Sequence, residues 1–361
     1  MRNVTLFVLA LAVPALAQNP KPANPPESIG IVLTGGGSFG AFEIGAIQAF
    51  YARWKAEHGE DPPVSVIAGT STGALLAPFV ALGPPGIQDA ADLYRNVKQS
   101  DILTPKTSDM LPFFLFTLFS PSAYSADGLK HRIAAELPEA RLKQIAGMWP
   151  GRRVAVLATN FATGRPAPFT NAPEDIGRDP AAFRDGVLAS AISPLATPPV
   201  YIKTDAAHPA DPYLDGGVHA VTPFQAFFDL AAHAPEVDLT QVIVFSAYPV
   251  FPSDDSAPVQ KEPFPKQPQF GAIGARMDAL ISESSISKEV ALAWAAIELR
   301  RAGVSAEKVK ERTGLYIPKP PRELILVAPD TRLGWDNLKF DPAQMRQMFD
   351  RGVKATPRKL D

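Results

Sequence analysis

Three glycine-marked segments hold the residues of this chain that could do chemistry. In Gly69-Thr70-Ser71-Thr72-Gly73 a serine sits in a G-x-S-x-G pattern, directly after the apolar run Val64–Ala68 and directly before the helical run that begins at Ala74. A strand that turns at once into a helix puts the middle hydroxyl on a sharp, exposed elbow, the setting a nucleophilic serine needs. Small residues at 69 and 73 keep that turn from clashing, and the helix N-terminus favours developing negative charge there. The same turn could serve only as a helix start, with Thr70 or Ser71 as N-cap. In Leu33-Thr34-Gly35-Gly36-Gly37-Ser38-Phe39-Gly40, consecutive glycines separate a short apolar strand from a helix. Open N–H groups at such a helix start form an anion site. It fits an oxyanion hole, a pyrophosphate cradle (Gly35-x-Gly37-x-x-Gly40 is also the dinucleotide pattern) or merely a tight turn. In Tyr213-Leu214-Asp215-Gly216-Gly217-Val218 a carboxylate precedes two glycines. That is ordinary turn composition, and it is also a fixed carboxylate able to act as general base for a serine hydroxyl.

A Ser-His-Asp relay needs an imidazole between the other two groups. The chain has five histidines, His58, His131, His208, His219 and His233, and none stands in a recognisable catalytic setting. His219 follows Asp215 by only four positions. A two-residue site is the simpler expectation, with a triad through His219 left open. Zero Cys excludes a thiol nucleophile, a thiolate metal site and a disulfide framework. Neither a metal nor a cofactor is expected.

The elements that would position these residues alternate. The pattern predicts a strand over Ile29–Leu33, a helix over Ala41–Lys55 with apolar residues at helical spacing, a strand over Val64–Ala68 and a helix over Thr72–Leu82 that Pro78 kinks. Strand–helix–strand–helix is the signature of a mostly parallel sheet covered by helices. Further strands are expected over Val154–Phe161, from Pro168-Phe169 after a turn at Thr163-Gly164-Arg165, over Gln241–Ala247 and over Glu323–Ala328. A Pro-studded loop spans Pro249–Pro268, a long helix about Gly271–Arg301, and a last helix Pro342–Val353. The expected organisation is one large domain, residues 29–361, with a long surface loop near 249–268.

The three motifs, in this order, resemble the patatin-like phospholipases, marked by a G-G-G-x-[K/R]-G loop, a G-x-S-x-G serine and a D-G-[G/A] aspartate. Ala189-Ser190-Ala191-Ile192-Ser193-Pro194 through Pro198-Pro199 is similar to the family's segment before the aspartate. The resemblance covers about Ile29–Val353. It implies a three-layer α/β/α fold with a mostly parallel central sheet, Ser71 as nucleophile and Asp215 as its base. It implies an oxyanion hole from the backbone N–H groups of Gly35, Gly36, Gly37 and Ser38. Gly69 and Gly73 would shape the elbow, and Gly40, Gly216 and Gly217 would support the loops. The implied substrate is a lipid or other acyl ester, hydrolysed through an acyl-enzyme. Two positions depart from the family pattern. Phe39 stands where Arg or Lys is frequent, and VHAVT precedes Pro223 where an Asn is frequent.

Composition narrows the setting. The chain has 361 residues, a net charge of −2 and 20% charged residues. These numbers give no basic patch for nucleic acid. Met1-Arg2-Asn3, the apolar run Val4–Val13 and Pro14-Ala15-Leu16-Ala17 read as a signal peptide cleaved after Ala17, hence an exported protein. A Pro-rich lead-in, 18–28, follows. Met110–Phe119 is too short to span a bilayer and reads either as an acyl groove or lipid contact, or as buried core. Two rivals stand beside the hydrolase. A dinucleotide-dependent oxidoreductase needs an acidic residue after the second strand, whereas Glu57, Glu60 and Asp61 precede it. A non-catalytic lipid carrier on the same scaffold would not need all three motifs intact.

Overall fold

The computed structural model describes residues 27–102, 104–105, 124–177, 179–192, 197–204, 209–234, 237–251, 270–334 and 336–360. The expected signal segment, the 110–119 stretch, His208 and most of the Pro249–Pro268 loop lie outside the described residues. Along the chain come β1 (Glu27–Leu33), α1 (Gly40–His58), β2 (Val64–Thr70), α2 (Thr72–Ala81), α3 (Pro84–Asn96), α4 (Gln99–Ile102), β3 (Thr104–Pro105), β4 (Tyr124–Ser125), α5 (Asp127–Glu136) and α6 (Glu139–Ala146). They continue with β5 (Arg153–Asn160), β6 (Arg165–Thr170), α7 (Pro180–Ser190), β7 (Val200–Ile202), β8 (Asp211–Asp215), α8 (Phe224–Ala232), β9 (Asp238–Phe245), α9 (Phe270–Arg301), α10 (Ala306–Thr313), β10 (Glu323–Val327), α11 (Pro342–Val353) and β11 (Arg358–Leu360).

β10, β9, β1, β2 and β5 form a parallel sheet in that order, flanked by helices in a three-layer α/β/α arrangement. Strands covered on both faces must be apolar throughout, which is why VIVF of β9 and LILV of β10 read as uninterrupted runs. β9 and β10, which flank the Pro-rich loop and α9 in sequence, pair directly with each other. Gly30 lets Phe227 of α8 press against β1, since a side chain there would strike the phenyl ring. α1 and α11 cross closely, with Gly45 against the Phe349 carbonyl and Gly352 against the Phe42 carbonyl.

Helix ends follow local chemistry. Asp179 caps α7, accepting from Ala181 N–H at 3.0 Å and Ala182 N–H at 3.2 Å, and Asp341 caps α11 through Gln344 N–H at 2.9 Å. α1 ends at Gly59 in the left-handed region, φ 79°. α2 runs on through Pro78 to Ala81, close to the expected bounds. β6 begins at Arg165, three residues before the expected Pro168, because the antiparallel ladder starts at the Asn160–Arg165 pair, right at the turn.

The register places the functional segments. Leu33 pairs with Gly69 and with Phe245, and Phe245 with Val327, so β1, β2, β9 and β10 end level. In parallel sheets the crevice at these carboxyl ends is where ligands bind. β5 carries β6 along one edge, over residues 155–160. Its other edge is shared: β2 pairs with residues 153–157 and β8, antiparallel, with 158–160. β2 and β8 therefore run head to head along one edge of β5, and meet between Leu157 and Ala158.

Candidate active site

That meeting point brings Ser71 and Asp215 together. Thr70 ends β2 opposite Leu157, and Asp215 ends β8 opposite Ala158. Ser71 is the next residue after Thr70, with φ 55° and ψ −120°, one of two non-glycine residues at positive φ among those described. Such a backbone is costly for an L-residue, roughly 1–3 kcal/mol, and is held only where surrounding structure enforces it. Enforcement here comes from Gly69 and Gly73: a Cβ on Gly69 would strike the Gly73 carbonyl, and one on Gly73 would meet the Leu33 carbonyl at 2.5 Å. Ser71 occupies the N-cap position of α2, but its hydroxyl makes no capping bond. The Thr70 hydroxyl donates to the Ala220 carbonyl, 3.1 Å. Neither hydroxyl is used as a cap, and that of Ser71 is left for other work.

It faces the Asp215 carboxyl and steadies its ionised form. Asp215 Oδ1 also accepts from Gly217 N–H at 2.7 Å, closing the turn made by Gly216 and Gly217. The Asp215 main-chain carbonyl accepts from the Thr159 hydroxyl at 3.1 Å. Gly216 lies against the Leu157 carbonyl, where no side chain fits. Enclosure of the carboxyl outweighs these hydrogen bonds and pushes its pKa up to about 7, with the charge of Asp278 on α9 adding to the rise. A carboxyl so poised is a far better base near neutrality than one of ordinary pKa, about 3.9.

The glycine loop stands next to the elbow. A Cβ on Gly35 would lie 3.2 Å from Ser71 Cβ, so the loop backbone runs against the serine. Of its four expected donors, two are already committed: Gly35 N–H donates to the Val221 carbonyl at 2.9 Å and Ser38 N–H to the Asn337 carbonyl at 2.8 Å. Gly36 and Gly37 N–H meet no acceptor among the described residues. Of the four amides expected to act together, only these two have no partner among the described residues. Gly37, at φ 55°, lies against the Asn337 carbonyl, and Gly40 packs on Thr72 and Tyr94. Phe39, in place of a cation, is buried and packs edge-on to Tyr248, ring centroids 5.5 Å apart.

Several supporting residues were not singled out by sequence reasoning. Ser190, fully buried at the end of α7, accepts from Ser71 N–H at 2.9 Å and donates to the Leu157 carbonyl at 2.5 Å, pinning the elbow to β5. The only signal for it was its place in the A-S-x-x-x-P segment. Glu289 of α9 accepts from Val221 N–H at 3.1 Å and Thr222 N–H at 2.6 Å, and so holds the loop after Asp215. Asn337 donates to Asp278 at 2.6 Å and to the Tyr248 hydroxyl at 2.9 Å. No short-range pattern marks these distant partners.

Three of the histidines are placed as follows. His219 is exposed, and its ring makes no hydrogen bond among the described residues. His58 stacks on Trp54, and His233 caps the Asp229 carbonyl. Among the described residues no group of three or more His, Asp or Glu side chains could hold a metal ion, and no helix is long and apolar enough to cross a membrane.

Comparison with known proteins bears on this geometry. Among curated proteins, none matches the sequence. A solved structure of VipD from Legionella pneumophila is similar over 93% of this chain and 68% of its own, with 13% identity and a TM-score of 0.40. The patatin-like phospholipase profile matches residues 31–228, more than half of the chain and the whole stretch that carries the three glycine motifs. The chain belongs to the patatin-like phospholipase family, a family of lipid acyl hydrolases.

Proposed function

We propose that the chain hydrolyses carboxylic esters of lipids with Ser71 as nucleophile and Asp215 as its general base. The observation that carries this is the convergence of β2 and β8, which sets an uncapped serine on a forced elbow against a carboxyl whose pKa is about 7. Ser71 Oγ attacks the acyl carbonyl carbon while Asp215 takes the hydroxyl proton. The carbonyl oxygen, now negative, is held by Gly36 and Gly37 N–H, beside the N-terminus of α1. The intermediate collapses, the C–O bond to the alcohol breaks, and Asp215 returns its proton to the departing oxygen. Water then attacks the acyl-enzyme with Asp215 again as base, releasing the fatty acid and restoring Ser71.

The acyl chain would lie in an apolar cavity beside α2, whose lining does not include Ser71 or Asp215 themselves. Leu75, Phe79, Leu93, Tyr94 and Val187 line it, and Leu75 lies one turn beyond Ser71. Phospholipase A, lysophospholipase and simple esterase action all fit this chemistry. We further propose export through residues 1–17 and contact with lipid surfaces through Met110–Phe119. N-terminal sequencing of the protein recovered outside the cytoplasm should begin at Gln18. Phe113→Ser with Phe116→Ser should weaken vesicle binding more than hydrolysis of a soluble ester.

The deciding experiment is a panel of phospholipids, lysophospholipids and short esters, together with labelling by a fluorophosphonate. Ser71→Ala and Asp215→Asn should each abolish turnover, and Ser71→Ala should abolish labelling. Full turnover in Asp215→Asn with loss in His219→Ala would replace the dyad by a triad. Binding of NAD(H) without labelling would favour the oxidoreductase, and lipid binding without labelling the carrier.

A further inference from the structure

Beneath the glycine loop lies a carboxyl that the chemistry above does not touch. Glu43, in the first turn of α1, is fully enclosed. Its Oε1 accepts from Thr34 N–H at 3.1 Å and from the Thr34 hydroxyl at 2.8 Å. Thr34 is the last residue before Gly35, and it joins two further pieces of chain. Its carbonyl accepts from Gly73 N–H at 3.1 Å, at the far side of the elbow. Its hydroxyl oxygen accepts from Ala247 N–H at 3.1 Å, just beyond β9, and its own N–H is shared with the Phe245 carbonyl at 3.2 Å. One carboxyl thus fixes the residue at which the loop leaves the sheet and the elbow docks.

The second oxygen, Oε2, meets no partner among the described residues. Burial pushes the Glu43 pKa well above the usual carboxylate range, against the opposing pull of the hydrogen bonds from Thr34 and from the Ala247 N–H. A side chain enclosed with half its hydrogen-bonding capacity unused is unfavourable for folding alone, whereas an apolar residue of similar size would fill the same space. What Glu43 supplies and an apolar residue does not is the acceptor for Thr34.

We propose that Glu43 is a positioning residue: through Thr34 it sets where the Gly36 and Gly37 amides point, and it thereby governs turnover rather than substrate binding. This rests on the reading of Ser71 and the glycine loop given above. Misplacing catalytic groups by about 1 Å costs on the order of 100-fold in rate. Losing one oxyanion donor outright costs about 100–1000-fold.

The test measures kcat and KM for a soluble short-chain ester, with kcat expressed per active site titrated by a fluorophosphonate. Glu43→Gln keeps a neutral acceptor and should stay within about 2-fold of wild type. Glu43→Leu should lose roughly 10–100-fold in kcat with KM nearly unchanged. Thr34→Val keeps the shape, removes only the hydroxyl and carries the test should Glu43→Leu fail to fold; it should lose kcat in the same way. The double variant Thr34→Val/Glu43→Leu should be no worse than the poorer single variant. Wild-type kcat per titrated site in Glu43→Leu or Thr34→Val, a loss in Glu43→Gln as large as in Glu43→Leu, or additive losses in the double variant would each overturn the assignment. Ser71→Ala is run alongside. Surviving turnover there would overturn the reading of the site itself, while a dead Ser71→Ala beside a wild-type-like Glu43→Leu would overturn only the role of Glu43.

Discussion

Lowering the pH should switch this enzyme off at an unusual point. With the Asp215 pKa near 7, the fraction of active base at pH 5 is about 1% of its plateau, against more than about nine-tenths for a carboxylate of ordinary pKa, ~3.9. The acid limb of kcat/KM, measured with a soluble ester so that lipid packing does not change with pH, should therefore fall tenfold per pH unit below about 7. Asp278→Asn removes a negative charge that raises Asp215, and should move the limb to lower pH. The same shift governs stability. A carboxyl whose folded pKa is raised from 3.8 to about 7 contributes its full share below pH 3.8 and loses it progressively as pH rises through 7. About three units at 1.36 kcal/mol each is ~4 kcal/mol. Because Asp215 as a residue is only half-buried, the effective loss is set at about 2–4 kcal/mol. Asp215→Asn does not titrate. Its stability relative to wild type, measured by urea unfolding, should rise by that amount between pH 4 and pH 8.5. A pH-independent difference between the two proteins, or an acid limb near pH 4, would refute the argument that enclosure sets this base.

Two further substitutions probe the elbow. Ser71→Gly and Ser71→Ala should both be inactive, but the glycine variant should be about 1–3 kcal/mol more stable in urea unfolding, because only the alanine retains the cost of φ 55°. Ser190→Ala leaves Ser71 N–H and the Leu157 carbonyl without their shared partner. It should cost about 1–3 kcal/mol of stability and reduce kcat more than KM in steady-state assays. Gly69→Ala should misfold or lose both activity and fluorophosphonate labelling, since its Cβ has no space beside the Gly73 carbonyl.

The parts of this molecule written in neighbouring residues were legible from the sequence. The β1 glycine loop, the β2 elbow, the alternation of strand and helix, the long α9 and the capped α11 all announce themselves within about ten residues, through periodicity, glycine and capping chemistry. The short strands were less visible: β7, β8 and β11 have three to five residues each, too few for alternation to register. β8 matters most, because its direction along β5 decides that Asp215 reaches Ser71. That direction is a property of pairing between residues more than fifty positions apart, and no local pattern carries it. The division of labour among the loop amides was equally hidden. Gly35 and Ser38 look like Gly36 and Gly37 in sequence, and differ only because Val221 and Asn337 fold against them. Glu43 sits on the buried face of an apolar helix, where its acid is invisible as a functional residue until Thr34 is seen above it.

The shared edge of β5 makes that strand a ruler for the site. Nucleophile and base are separated by more than 140 residues of chain, yet each is placed by counting along the same few residues, up from 153 and down from 160. Sliding β5 by one pleat, two residues, against β2 alone would carry Asp215 about 7 Å along the strand from Ser71. Lengthening an outlying loop between them would leave the spacing untouched. The turn at Thr163-Gly164 is exposed and lies between the two halves. A chain opened there leaves Ser71 and β5 on one fragment and Asp215 and β6 on the other. The six residue pairs of β5 and β6, the three of β5 and β8 and the seven of β1 and β9 then become the seam of a split enzyme, in which ester turnover reports that the two pieces have found each other in register.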